Sequence, residues 1–229
     1  MPGPGGPARM FAVESMSLPV DRIPATLLTG PAGSGKTTLL NRLLRDPAMA
    51  DTLVVIGEFG ATALAHPLAA HAGMGPAGGL ASACTCCAVR TDLAATLRDA
   101  PWRFSRGGQR LFGRVAIEAA GSADPASLVE ILEHGWRIAS RYRLDGVVAV
   151  VEAGGILAGA DVHADIARQV ALADRVLVRG REGLDAARRT DLARRLAVLN
   201  PAAGPRWQPV ETMDARAFTG LRPATGGAG

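Results

Sequence analysis

Short runs of aliphatic and β-branched residues alternate along the chain with stretches of helical period, and this alternation sets the expected architecture. Ala25–Thr29, Thr52–Ile56, Arg114–Glu118, Gly146–Val151, Arg175–Val178 and Trp207–Val210 read as strands. Lys36–Leu44, Pro125–His134, Ala164–Ala173 and Leu184–Leu199 read as helices, the last with its arginines turned to solvent, and a short helix is expected around Ala215. The strand candidates are apolar at consecutive positions rather than at alternate ones, so both faces of their sheet must be covered. Strands and helices in alternation then predict an α/β fold, a mostly parallel sheet with helices on both faces. Ala61–Ser82, rich in Ala, Gly and Pro, has no period and reads as a long loop over the functional edge. Residues 1–22 read as a flexible leader, 23–220 as a single domain and 221–229 as a flexible tail.

The 229 residues are 48% hydrophobic and 20% charged, which excludes wholesale disorder, while 4% aromatics leave the core to Ala, Val, Leu and Ile. No apolar run approaches the roughly 18 residues of a membrane span, and no membrane partner is expected. Lys and Arg number 25 against 21 Asp and Glu, a net charge of +4 that by itself would suit a nucleic-acid partner. Lys36 is the only lysine, however, and the arginine-rich segments around Arg103–Arg114, Arg175–Arg181 and Arg188–Arg195 show no regular interleaving with stacking aromatics, Phe104 and Phe112 aside. They read as solvated faces, and nucleic acid is not the expected partner. Three cysteines cannot build a disulfide framework, and the N-terminus lacks the apolar segment of a secretory signal, so a cytoplasmic home is expected.

Candidate chemistry concentrates in three places. Gly30-Pro31-Ala32-Gly33-Ser34-Gly35-Lys36-Thr37-Thr38 fits G-x-x-x-x-G-K-[ST] between a predicted strand and a predicted helix. Chance placement of this chain's residues would give the pattern on the order of one time in a thousand. Glycines let successive N–H groups turn toward phosphate oxygens at a helix N-terminus. Lys36 would neutralise the β/γ-phosphates, Thr37 would offer its hydroxyl to Mg²⁺, and Thr38 would bond the α-phosphate; the bland alternative is a glycine-rich turn that binds nothing.

All three cysteines lie in Cys84-Thr85-Cys86-Cys87, a clustering that chance gives on the order of three times in ten thousand. Thiolates are soft ligands suited to Zn²⁺ and related ions, and metal coordination explains the cluster best. A redox pair and a group of buried thiols are the competing readings. Third, Val115-Ala116-Ile117-Glu118-Ala119-Ala120-Gly121 is a strand ending in an acid, with a glycine three residues on. Beside a phosphate loop, Glu118 can hold Mg²⁺ through water and Gly121 can offer its N–H to a γ-phosphate; alone, Glu118 is a strand-end acid. Asp124, just before Pro125, reads as a helix N-cap.

In order along residues 22–202, RIPATLLTGPAGSGKTTLLNRLL, VVIGEFG, CTCCAVRTDL, IEAAGSADP, LDGVVAVVEA, RQVALADRVLV and LNPAA resemble the CobW/UreG-type metallochaperone GTPases, the CobW-like branch above all. The resemblance implies a P-loop NTPase domain that binds GTP and Mg²⁺, turns over slowly, and couples nucleotide state to binding and delivery of zinc or cobalt to a client metalloprotein. It further implies metal ligands at Cys84, Cys86, Cys87 and Glu58. The chain departs from the family in Gly57-Glu58-Phe59-Gly60-Ala61-Thr62-Ala63-Leu64-Ala65, where Glu58 alone remains of the acids. It departs again in Arg179-Gly180-Arg181-Glu182, which stands where N-K-x-D selects guanine. Glu182 partly replaces that Asp, so ATP stays open beside GTP. The family's C-terminal domain is expected to be absent. Two other readings stay open: a degenerate nucleotide-binding module with little or no hydrolysis, and a P-loop kinase for a small metabolite, which leaves the cysteines unaccounted for.

Overall fold

The structure is a computed structural model that describes residues 22–56, 87–158, 164–201 and 207–222. The chain runs through β1 (Ile23–Thr29), α1 (Lys36–Leu43), β2 (Thr52–Ile56), α2 (Cys87–Arg103) and a small hairpin of β3 (Ser105–Arg106) and β4 (Gln109–Arg110). It continues through β5 (Arg114–Glu118), α3 (Pro125–His134), α4 (Trp136–Ala139), β6 (Tyr142–Glu152) and α5 (Ala153–Leu157). It ends with α6 (Ala164–Ala171), β7 (Arg175–Arg179), α7 (Ala186–Leu199) and β8 (Trp207–Pro209).

Six strands form one sheet in the order β2-β5-β1-β6-β7-β8, and every described pairing within it is parallel. The predicted α/β architecture is therefore present. Alternate residues of each strand feed two separate cores. Leu27, Val55, Ile117, Ala149 and Val178 pack on one face with Leu93 and Leu97 of α2, Leu128 and Leu132 of α3, Val170 of α6 and Leu192 of α7. Leu28, Val54, Ala116, Val148 and Leu177 pack on the other with Leu39, Leu40 and Leu43 of α1 and with Val210, Met213 and Phe218. A strand buried on both faces can be a run of aliphatic residues, which is why the sequence shows no alternation there.

The C-terminal stretch that covers the second face is held by charge. Asp145, 2% exposed, accepts from Gly220 N at 2.6 Å and from Arg143 at 2.7 Å. Arg222 bonds Asp174 at 2.8 Å and Glu133 at 2.7 Å. Leu221 and Arg222, where a loose tail was expected to begin, are thus tied to the sheet. The short helix expected around Ala215 is not formed: Val210–Thr212 makes a single 3₁₀ turn and non-helical turns follow. Asp214 accepts from Ala217 N at 2.6 Å, the bond of a helix N-cap, but Gly220 at φ +67° ends the segment after little more than one turn. The region expected to loop over the functional edge, Ala61–Ser82, lies outside the described residues, as do residues 1–21 and 223–229.

Candidate functional site

The order of strands reverses direction at β1, so the crevice at its C-terminal end is where an open parallel sheet accepts a ligand. There the chain leaves β1 through Gly30, Gly33 and Gly35, with φ of +139°, +78° and +94°, before entering α1. Gly30 is required twice over, since a Cβ would stand 2.1 Å from the carbonyl oxygen of Val150. Gly35 is the N-cap of α1 and supplies no side-chain cap, so the first N–H groups of that helix are left for an outside acceptor. Ser34 is 1% exposed, and its Oγ has no hydrogen-bond partner among the described residues. A buried hydroxyl without a partner costs free energy, and a phosphate oxygen is the acceptor this loop would offer it. Lys36 is buried, its ammonium donating at 2.9 Å to the carbonyls of Gly30 and Pro31. Thr38 is exposed on the first turn.

The end of β5 completes the site. Leu28 of β1 is in register with Glu118, which is 1% exposed and accepts a hydrogen bond from the hydroxyl of Thr37. A hydroxyl and a carboxylate are hard oxygen donors, the set that suits Mg²⁺. Three residues on, Gly121 lies against the loop so closely that a Cβ would stand 2.4 Å from Ala32 N. Its carbonyl accepts from Gln169 Nε2 at 3.0 Å, and Gln169, on α6, is fully buried. Sequence reasoning missed Gln169; its signal was a polar residue on the inward face of RQVALA. Asp124 caps α3, accepting from Ala126 N and Ser127 Oγ, each at 3.2 Å, as expected.

Arg179, at the end of β7, also reaches the loop, donating to Gly33 O at 3.3 Å. Glu182 is exposed on the following turn, its main-chain carbonyl accepting from Arg189 at 3.2 Å. Cys87 opens α2, but its side chain, Cys84, Cys86 and Glu58 lie outside the described residues. Among the described residues, no three His, Cys, Asp or Glu side chains gather as a metal site. Resolved pKa shifts belong to framework groups: hydrogen bonds from Arg194 and Arg195 lower Asp191, one from Arg98 lowers Asp99, and burial pushes Tyr142 up to about 12.

Hollows also lie away from this loop. Two depressions of about 480 Å³ each open near Arg141 and share Trp102 and Ser140, the first also lined by Ile23 at the start of β1. Trp102 and Trp136, 82% and 76% exposed, stand among the arginines there. Phe104 and Phe112 already lie within Arg103–Arg114 in sequence, and Arg110 stands 5.5 Å over the Phe112 ring and Arg137 4.7 Å over the Trp136 ring, contrary to the expectation of bare solvated faces. The chemistry of the phosphate loop, not hollow size, marks the candidate site.

A parallel sheet with a glycine-rich loop at its switch point, a buried lysine and a strand-end acid defines a P-loop nucleotide-binding fold. The chain belongs to the CobW/HypB/UreG family, matching its nucleotide-binding domain over residues 24–204. It is 34% identical over 164 residues to the zinc chaperone YjiA of Escherichia coli, covering 68% of this chain and 48% of that one. It is 29% identical over 147 residues to zinc-regulated GTPase metalloprotein activator 1 of Schizosaccharomyces pombe, covering 60% and 33%. A crystal structure of a Zn(II)-bound triple mutant of the YjiA GTPase has a TM-score of 0.59 at 28% identity, covering 84% of this chain and 59% of that one. The hydrogenase maturation factor HypB of Archaeoglobus fulgidus shares the fold, with a TM-score of 0.54 at 15% identity over 88% and 86% of the two chains. The chain spans about half the length of the YjiA relative and less of the others. No helix among the described residues is long and apolar enough to cross a membrane.

Proposed function

We propose that this chain is the nucleotide-driven part of a metal chaperone: it binds GTP with Mg²⁺, hydrolyses it slowly in the cytoplasm, and uses nucleotide state to govern how Cys84, Cys86, Cys87 and Glu58 hold zinc or cobalt for a client metalloprotein. The carrying observation is the Thr37–Glu118 hydrogen bond beside a loop whose glycines all take positive φ. In this reading the N–H groups of Gly33–Thr38 and the Lys36 ammonium bind the phosphates, Thr38 sits at the α-phosphate, and Gly121 presents its N–H to the terminal one. Thr37 and Glu118 would hold Mg²⁺, which supplies charge neutralisation to the β- and γ-phosphates.

Register supports the coupling to metal. Ile56, the last residue of β2, pairs with Glu118, so Glu58 follows in sequence two residues after the position beside the acid that faces Thr37. A terminal phosphate that fixes this edge would set the Glu58 carboxylate against the thiolates, and its loss would loosen them, releasing the metal to a client. The names of the relatives, zinc chaperones and metalloprotein activators, support the same reading.

A binding module without turnover is the second reading, favoured by Arg179-Gly180-Arg181-Glu182 in place of a guanine-selective motif. Phosphate release from Mg²⁺-GTP, measured on wild type and Thr37→Ala, separates the two. Release that needs Thr37 supports the chaperone GTPase, and no release from either supports the module. Zinc titration of wild type and a Cys86→Ala, Cys87→Ala double variant tests the ligands, and equal affinity would remove them from the site.

A further inference from the structure

Two tryptophans stand out in water at the end of the sheet opposite the phosphate loop. Trp102 is 82% exposed and Trp136 76%, and large apolar rings gathered on one surface mark a place where something binds. Two hollows adjoin there, sharing Trp102, Ser140 and Arg141; one reaches Ile23 and Arg110, the other Trp136 and Arg137. Ile23 opens β1 and Arg141 immediately precedes β6, whereas the phosphate loop follows the last residue of β1. A molecule seated in the hollows therefore leaves the nucleotide end open. Helix α2 links the two ends: it starts at Cys87 and ends at Arg103, and at about 1.5 Å per residue it spans roughly 25 Å.

The chemistry of the hollows narrows the ligand. Among the described residues Asp99 is the one carboxylate lining either of them, and Arg98 holds it at 2.7 Å. Arg110, Arg137 and Arg141 are exposed and form no ion pair among the described residues. The surplus charge is positive, so the complementary ligand carries anionic groups. The Arg137 guanidinium lies 4.7 Å over the Trp136 ring and covers one of its faces. Bases threaded between open ring faces are poorly served by that arrangement. An apolar side chain laid in each hollow, with carboxylates beside the arginines, suits it better, and Trp and Arg are the residues that dominate binding energy where proteins meet.

We propose that this end of the sheet docks an acidic segment of a protein partner, extended across both hollows, with an apolar side chain in each and carboxylates meeting Arg110, Arg137 and Arg141. The partner is the client of the metal-chaperone reading, on which the proposal rests. Docking at the far end of α2 holds that client while the phosphate end stays free to turn over.

The test selects a random peptide library, displayed on phage, against the full chain without nucleotide or zinc, and measures the winning peptides by fluorescence anisotropy. Winners are expected to place Asp and Glu around Leu, Phe or Trp. Trp102→Ala is expected to weaken them by roughly thirtyfold, and the double variant Arg137→Glu, Arg141→Glu by at least about tenfold. All three positions are exposed, so melting temperature should hold in both variants. No winners, neutral or basic winners, or winners that bind Trp102→Ala as tightly as wild type would overturn the docking face. Tighter binding of a labelled oligothymidylate, weakened by Trp102→Ala, would make it a nucleic-acid site instead, and self-association abolished by Trp102→Ala would give it to a second copy; either result overturns the proposal. The selection contains neither nucleotide nor zinc, while titrations of wild type with a GTP analogue and with zinc read the chaperone function by themselves, so each reading can fail alone.

Discussion

The hydroxyl of Thr37 donates to the carboxylate of Glu118, joining the first turn of α1 to the end of β5 across 81 positions of sequence. The threonine depends on the glycine loop that starts its helix, and the acid on the register of β5 with β1 and β2. The pair is thus the point where loop and sheet meet.

Removing either partner should act through Mg²⁺. Thr37→Ala and Glu118→Gln are expected to lower Mg²⁺-dependent phosphate release by roughly a hundredfold, as for loss of one group that stabilises transition-state charge. Melting temperature in Thr37→Ala should fall little, since one part-buried hydrogen bond contributes about 1 kcal/mol. Unchanged turnover in both variants would remove the pair from the machinery.

Gly30 and Gly33 make a matched comparison. Both have positive φ, but a Cβ at Gly30 would strike Val150 O at 2.1 Å, whereas one at Gly33 would meet nothing within 4 Å. Gly33→Ala should therefore cost only the left-handed conformation, about 1 kcal/mol, and Gly30→Ala at least about 2 kcal/mol more. Urea unfolding reads the difference, and equal costs would contradict the tight approach of β6 to the loop.

Gln169→Leu removes the amide that holds Gly121 O. Its Oε1 is buried without a hydrogen-bond partner among the described residues, so the leucine also removes a penalty, and the net stability change should stay within about 1 kcal/mol. The expected loss is functional: phosphate release slows while nucleotide affinity is held, because Gly121 would face only the terminal phosphate. A parallel fall in affinity and turnover would contradict that placement.

The parts legible in the sequence are those where one physical demand dominates. The strands at the sheet centre are aliphatic on both faces, and the phosphate loop is spaced by glycines that take positive φ. α2 was not assigned because the inward face of its described side chains is built on Leu93, Leu97 and Ala100, and Pro101 sits inside its last turn. β6 was expected from Gly146 but starts at Tyr142, where Arg143 and Asp145 break the apolar run and satisfy each other at 2.7 Å. Gln169 is a single polar residue on an inward helix face, a signal that gains meaning only when Gly121 lies opposite it, and the exposed pair Trp102 and Trp136 is far apart in sequence. Contacts between distant segments are what one linear pattern omits.

Tyr142 is the only tyrosine, so its titration can be followed at the phenolate absorbance band without overlap from another. Its O–H donates to Leu97 O at 2.8 Å, and burial, opposed by Arg141 and Arg110, pushes its pKa from 10.0 up to about 12. The folded state disfavours the phenolate, so this contribution to stability is complete below pH 10 and is lost as pH rises toward 12. Tyr142→Phe should cost about 1–2 kcal/mol at neutral pH by stranding the Leu97 carbonyl, and should remove this part of the alkaline decline. An identical alkaline profile in the variant would contradict the buried neutral phenol.

Zinc affinity decides whether nucleotide and metal are coupled. Competition against a chromophoric chelator, with the full chain loaded with Mg²⁺ and a non-hydrolysable GTP analogue and again with GDP, should give at least a roughly tenfold difference, about 1.4 kcal/mol of coupling. By reciprocity, zinc should shift affinity for the analogue relative to GDP by the same factor. The same zinc affinity in both nucleotide states would contradict a loop that the terminal phosphate sets against the thiolates.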